Sequence, residues 1–132
     1  MVVDPSVVVA IFLEEPDAED FSLALRRAGV RRMSTASLFE AGIVLDQRAG
    51  LEPEEPNDEL RALLQRVRIE LVPFTERHAQ IARVAYRRYG KGRHPAGLNF
   101  GDCMSYALAK SLDEPLLFKG TDFSLTDVKV VK

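Results

Sequence analysis

The sequence predicts an α/β domain around a central, mainly parallel β-sheet flanked by helices in an α/β/α arrangement. Three observations carry this. Short apolar or β-branched runs alternate with longer segments of helical periodicity. Most of the helical segments have recognisable punctuation, with Pro, Thr or Asn at the start and Gly at the stop. Near the C-terminus, "PLLF" is continuously apolar, as a strand covered on both faces must be.

In order, "MVVD" is a short strand ending in an acid. The apolar run of "PSVVVAIFLEE" has strand propensity, but Pro5 and Ser6 are helix-start residues and Pro16 limits its length, which makes it a short helix. "PDAEDFSLALRRAG" has Pro first, acids in the first turn, Arg in the last and Gly29 as the stop. Residues 30–34 form a short strand, and "TASLFEAGIVLDQRAG" is a helix closed by Gly50. Pro53 and Pro56 interrupt the chain before a helix over roughly 57–68, followed by "IELVPF" as a strand. "TERHAQIARVAYRRYG" is amphipathic, "KGRHPAG" a loop, and a further helix covers roughly 100–112. "PLLF" is then a buried strand, "KGTDFSLTD" a loop and "VKVV" a last strand.

The 132 residues are expected to form one domain, residues 1–132, large enough to bury a core unaided. Hydrophobic residues at 46% and charged residues at 29% fit a soluble globular chain. No apolar run approaches the roughly 20 residues that span a bilayer, and no leader is evident, so no membrane association is expected. The lone Cys103 cannot form an internal disulfide, and a reducing, cytoplasmic location is the default. A net charge of −2 argues against holding nucleic acid by bulk positive charge, but not against a nuclease whose local charge is set by a metal. There is no zinc-type Cys/His spacing and no Gly-rich phosphate loop.

Four acids stand out. Ligands of parallel α/β sheets bind beyond the carboxyl ends of the strands, where Asp4 lies and, a few residues past "PLLF", Asp122. Each alone reads equally as a turn or cap residue. Glu40 shares its helical side with Ala36, Ile43 and Val44; a capping box from Ser37 is the plainer alternative. Asp102 has the spacing of a capping box with Asn99, yet it also shares a side with Tyr106 and Ala109. Should these acids converge, two charges about 4 Å apart would repel by roughly 4 kcal/mol at an effective dielectric near 20. Such a cluster requires protonation or a cation, and hard carboxylate oxygens suit Mg²⁺ or Mn²⁺.

The motif order "VVDPS", "STASLFEAGIVL", "LNFGDCMSYALAK" and "PLLFKGTDFSLTDV" resembles PIN-domain ribonucleases, specifically the VapC toxins of bacterial toxin–antitoxin pairs, from Met1 to Lys132. The resemblance implies a PIN-like fold and Mg²⁺- or Mn²⁺-dependent endonucleolytic hydrolysis of RNA, leaving a 3′-hydroxyl and a 5′-phosphate. It implies that Asp4 and Asp102 chiefly hold the metal. Glu40 would hold a second ion or orient the attacking water, and Asp122 would complete the shell. Ser6 matches a small hydroxyl residue near the first acid, and Thr121 plays a similar part near the last. Pro5 departs from the pattern, standing where Thr or Ser is more usual and removing a backbone N–H. The resemblance further implies a cognate VapB-type antitoxin bound across the cleft, a homodimer and a cytoplasmic setting. It does not identify the target RNA.

Around the acids, Arg83, Arg87, Arg88, Lys91 and Arg93 form a basic run leading toward Asp102. It reads as a solvated face or, for Arg87, Lys91 and Arg93 in particular, as phosphate contacts. His94 in the loop is a tempting general acid but reads more simply as a surface histidine. His78 is expected on a solvated helix, and Cys103 as a small buried residue. Two other classes compete. A receiver-like signalling domain wants an acidic pair after the first strand, and none is present; a catalytically silent PIN binding module would not need all four acids. A haloacid-dehalogenase-type phosphatase would need a second Asp where Ser6 stands.

Overall fold

A computed structural model describes residues 1–131. Its elements run β1 (Val2–Val3), α1 (Pro5–Phe12), α2 (Ala18–Arg27), β2 (Arg31–Ser34) and α3 (Thr35–Ala49). They continue with α4 (Glu59–Arg66), β3 (Ile69–Val72), α5 (Glu76–Tyr89), α6 (Phe100–Leu112) and β4 (Leu116–Leu117), and a 3₁₀ turn at Asp122–Leu125 follows. The sheet has the order β3-β2-β1-β4 and all its pairings are parallel.

Alternation along the strands divides the molecule into two cores, because successive side chains in a strand point to opposite faces. Val2 and Leu116, which pair in register, pack with α5 and α6 through Ala85, Tyr89, Tyr106 and Leu108, and with Leu98 of the loop between those helices. Val3 and Leu117, the next pair, face α1, α2 and α4 through Val7, Val8, Leu25 and Leu63. A two-residue strand buried on both faces therefore joins the layers, and the α/β/α expectation holds.

Local chemistry sets the element ends. Pro5 occupies the first position of α1, where its missing N–H would have had no helical partner in any case. Gly50 closes α3 at φ +63°, a left-handed conformation that glycine adopts without a side-chain penalty. Two sequence expectations need correction. "VKVV" forms only a single parallel bridge, Leu116 to Val130, supported by Leu116 N donating to Lys129 O and Val131 N to Leu116 O. His78 is not solvated: it is 7% exposed, and its Nδ1 accepts from the Thr75 N–H at 3.2 Å in a capping box. That bond makes Nε2 the protonated nitrogen of the neutral ring, so Nε2 donates to Ser111 Oγ at 3.1 Å and ties α5 to α6.

Candidate functional site

The strand order turns back at β1, with β2 and β3 on one side and β4 on the other. The crevice outside the carboxyl ends of β1 and β4 is thus the topological switch point, where open parallel sheets place ligands. Asp4 follows β1 directly, and Asp122 opens the 3₁₀ turn past β4. Glu40 sits in the second turn of α3 and Asp102 in the first turn of α6.

Asp4 is 5% exposed and caps α1. Its Oδ2 accepts from the Ser6 N–H at 3.0 Å and the Ser6 hydroxyl at 2.6 Å, and its Oδ1 accepts from the Ser105 hydroxyl at 2.6 Å. A carboxylate offers about four acceptor positions, so three are used and one, on Oδ1, stays free. The Ser6 hydroxyl also accepts from the Lys119 N–H at 3.0 Å, linking Asp4 to the segment that follows β4. The N–H lost at Pro5 is thus replaced, as a cap donor, by that of Ser6.

Asp102 caps α6 and keeps one oxygen unbonded. Its Oδ2 accepts from the Asn99 N–H at 2.9 Å and the Asn99 side chain accepts from the Asp102 N–H at 2.8 Å, completing a capping box. Its other oxygen has no hydrogen-bond partner among the described residues. Glu40 is not a cap: α3 is capped by Ser34, which accepts from the Ala36 N–H. The Glu40 carboxylate lies against Gly101, where any Cβ would overlap it. Glycine at 101 is what lets the acid of α3 reach the start of α6.

The acids share one electrostatic environment. Burial, then the charges of Asp4 and Asp102, push the Glu40 carboxyl up to about 7. Burial raises Asp102 to about 6 against the lowering effect of the Asn99 N–H, and Asp4 and Asp122 raise it further. Burial also pushes Asp4 up, opposed by its hydroxyl and N–H donors. Asp122 is exposed and joins the group through Asp102. Among the described residues, no salt bridge includes any of the four. The donor set, hard carboxylate oxygens with no salt-bridge partner among the described residues, suits a divalent ion. Among the described residues, no three His, Cys, Asp or Glu side chains stand close enough together to hold a metal ion as a group. Mg²⁺ habitually takes one or two carboxylates and keeps several waters, so an open cluster fits it.

The remaining candidates divide. Ser6 is in the site. Thr121 is exposed and its side chain makes no capping bond. Arg87, Lys91 and Arg93 are exposed on α5 and on the loop leading to Asn99, whose base is closed by Lys91 N donating to Leu98 O and Leu98 N to Tyr89 O. His94 belongs to that loop's framework: its Nδ1 accepts from the Ala96 N–H at 3.1 Å and its ring stands edge-on to Tyr89. Cys103 is buried, with its thiol pushed up to about 11 by burial, which leaves it a poor nucleophile. Sequence reasoning missed Ser105, Ser37 and Gly101. The available signal was spacing, since Ser105 lies three residues after Asp102 and Ser37 three before Glu40.

Comparison with known proteins bears on the fold and the family. The PIN domain family model matches residues 1–129. Ribonuclease VapC of Mycolicibacterium smegmatis is 53% identical over 131 residues, covering 99% of both chains. Ribonuclease VapC30 of Mycobacterium tuberculosis is 50% identical, covering 99% of this chain and 98% of its own. Among solved structures, Mycobacterium tuberculosis VapC20, a toxin described as cleaving the sarcin–ricin loop, superposes with a TM-score of 0.75 at 17% identity, covering 99% of this chain and 98% of that one. A toxin–antitoxin complex from Klebsiella pneumoniae gives 0.70 at 16% identity, covering 98% and 95% respectively. At those identities the structural likeness establishes the fold alone, while the sequence relatives establish kinship. The chain belongs to the PIN-domain family, among its VapC ribonucleases.

Proposed function

We propose that this protein is a Mg²⁺- or Mn²⁺-dependent endoribonuclease toxin that works as one domain in the cytoplasm and is restrained by a cognate VapB-type antitoxin. The observation that carries the reading is that Asp4, Glu40 and Asp102, from three separate elements, lie within reach of one another's charge, with no salt bridge to any of them among the described residues. When bound, the divalent ion supplies Lewis acidity, lowering the pKa of water and neutralising charge that builds on the phosphate. Asp4, whose Oδ1 keeps one acceptor position free, and Asp102, which keeps one oxygen unbonded, would hold the ion. Glu40 would orient the attacking water and accept its proton. Asp122 completes the rim. Arg87, Lys91 and Arg93 track flanking phosphates of a single-stranded RNA segment.

The homodimer expected for this family is best served by the apolar groove beside Glu40. It has a volume of about 610 Å³ and is lined by Phe39, Ile43, Phe74, Phe100 and Met104. Phe39 and Phe100 are 72% and 79% exposed in the single chain, an exposure that burial between two copies would remove. No helix of the described residues is long and apolar enough to cross a membrane.

The test is cleavage of total RNA across a Mg²⁺ and Mn²⁺ titration, with mapping of the ends. Wild type should require the metal and leave a 3′-hydroxyl and a 5′-phosphate; Asp4→Asn and Asp102→Asn should not cleave. Retained activity in both variants, free of contaminating nuclease, would overturn the site. Cyclic-phosphate ends would overturn the route.

A further inference from the structure

The hydrogen bonds behind the acids form a directed chain. The Ser105 hydroxyl donates to Asp4 Oδ1 at 2.6 Å, which commits its one proton. Ser37 Oγ lies 3.4 Å from Ser105 Oγ, so Ser37 is the donor and Ser105 the acceptor of that longer contact. Both serines are 1% exposed. Ser37 stands one helical turn before Glu40 on α3, and Ser105 one turn after Asp102 on α6. A single buried run of hydroxyls therefore joins the three elements that carry the acids, and it ends on the oxygen of Asp4 that retains an open acceptor position. The neighbouring residues along both helices, Cys103, Met104, Tyr106 and Ala107 on α6 and Ala41 on α3, are buried as well. Two hydroxyls in such a setting are costly unless they are bonded, and here their bonds lead to Asp4.

We propose that Ser105 is a positioning residue for the metal site, fixing the rotation of the Asp4 carboxylate so that the free position of Oδ1 faces Asp102 and Glu40, with Ser37 acting through it. Removal of the Ser105 hydroxyl leaves Oδ1 free to turn, which weakens the hold on the ion before any chemistry takes place. Partners that orient metal ligands typically alter affinity by about 10–100-fold when they are removed. The inference rests on the metal-site reading above.

The experiment is calorimetric titration of Mn²⁺ into wild type, Ser105→Ala, Ser37→Ala and the double variant, together with cleavage rates across the same Mn²⁺ range. Ser105→Ala should weaken Mn²⁺ binding about tenfold. It should raise the Mn²⁺ concentration for half-maximal cleavage by the same factor and leave the rate at saturating Mn²⁺ within about threefold of wild type. A purely structural serine would lower the melting temperature without moving the Mn²⁺ midpoint. Ser37→Ala should give a smaller loss that vanishes in the Ser105→Ala background. Wild-type affinity in Ser105→Ala overturns the proposal, as does an undiminished Ser37→Ala effect in the double variant. If Ser105→Ala does not fold, unchanged Mn²⁺ affinity in Ser37→Ala overturns it instead. Failure of wild type to bind Mn²⁺ brings down the metal-site reading and this inference with it.

Discussion

The two ends of the central sheet treat their acids in opposite ways. At the end where the strands begin, Glu114 precedes β4 and is held by the amino group of Met1 at 2.9 Å and by the guanidinium of Arg32, which also reaches Glu70 at 3.6 Å. At the end where the strands finish, Asp4, Glu40 and Asp102 feel one another's charge and make no salt bridge among the described residues. One end has the pairing expected of acids that support a fold, whereas at the other burial and neighbouring like charge oppose ionisation, at a cost to the metal-free protein. An acid whose surroundings oppose its charge is the better candidate for chemistry.

Paired substitutions give the largest expected effect on this contrast. Asp4→Asn should lower cleavage by two orders of magnitude or more, roughly 3 kcal/mol of transition-state stabilisation, while leaving the melting temperature at or above that of wild type, because a buried charge has been removed. Glu114→Gln should do the reverse, losing about 1–2 kcal/mol of stability in chemical denaturation with Mn²⁺ affinity intact. Equal stability losses in the two variants would erase the distinction between the ends.

The pH dependence follows with a definite sign. Folded-state values near 7 for Glu40 and near 6 for Asp102 lie above their ordinary values of 4.5 and 3.8. The metal-free folded protein therefore binds more protons than the unfolded chain across that window, and its stability falls as pH rises through it. Divalent ions compete with those protons. A hundredfold excess over Kd should raise the melting temperature by on the order of 10 °C at about pH 8 and by much less at about pH 5. A metal effect that grows toward acid pH would contradict the assignment.

Gly101→Ala is a finer probe. Alanine favours a helix over glycine by about 1 kcal/mol, but here its Cβ would displace the Glu40 carboxylate. Cleavage should fall about tenfold or more with stability unchanged or raised. The smallest effect belongs to Lys91→Ala with Arg93→Ala, which should weaken RNA binding a few-fold and reduce its salt dependence by about two charges' worth.

How much of this was legible in the sequence depended on the range of the interactions involved. Asp4 could be placed because a β-branched run ending in an acid marks a strand terminus, and the capping box of Asn99 and Asp102 is written within four residues. Glu40 emerged from helical spacing, and the observed cap at Ser34 removes the alternative that Ser37 offered. The resemblance to a known family then joined four acids that spacing alone left separate. Ser105 was missed because its partner Asp4 lies 101 positions away, and its spacing from Asp102 places it on a shared helix side without naming that partner. His78 was misjudged for the same reason: its burial depends on Ser111 of the next helix. "VKVV" has strand propensity, but at the sheet edge it finds only one bridge partner, which propensity cannot foresee.

The most direct test is anomalous diffraction from crystals of the wild-type protein equilibrated with Mn²⁺ near pH 8. The account predicts a peak about 2.0–2.2 Å from carboxylate oxygens of both Asp4 and Asp102, on the side of the hollow facing Glu40. A fully occupied Mn²⁺ elsewhere on the molecule, with the Asp4 and Asp102 oxygens free of metal, would contradict it.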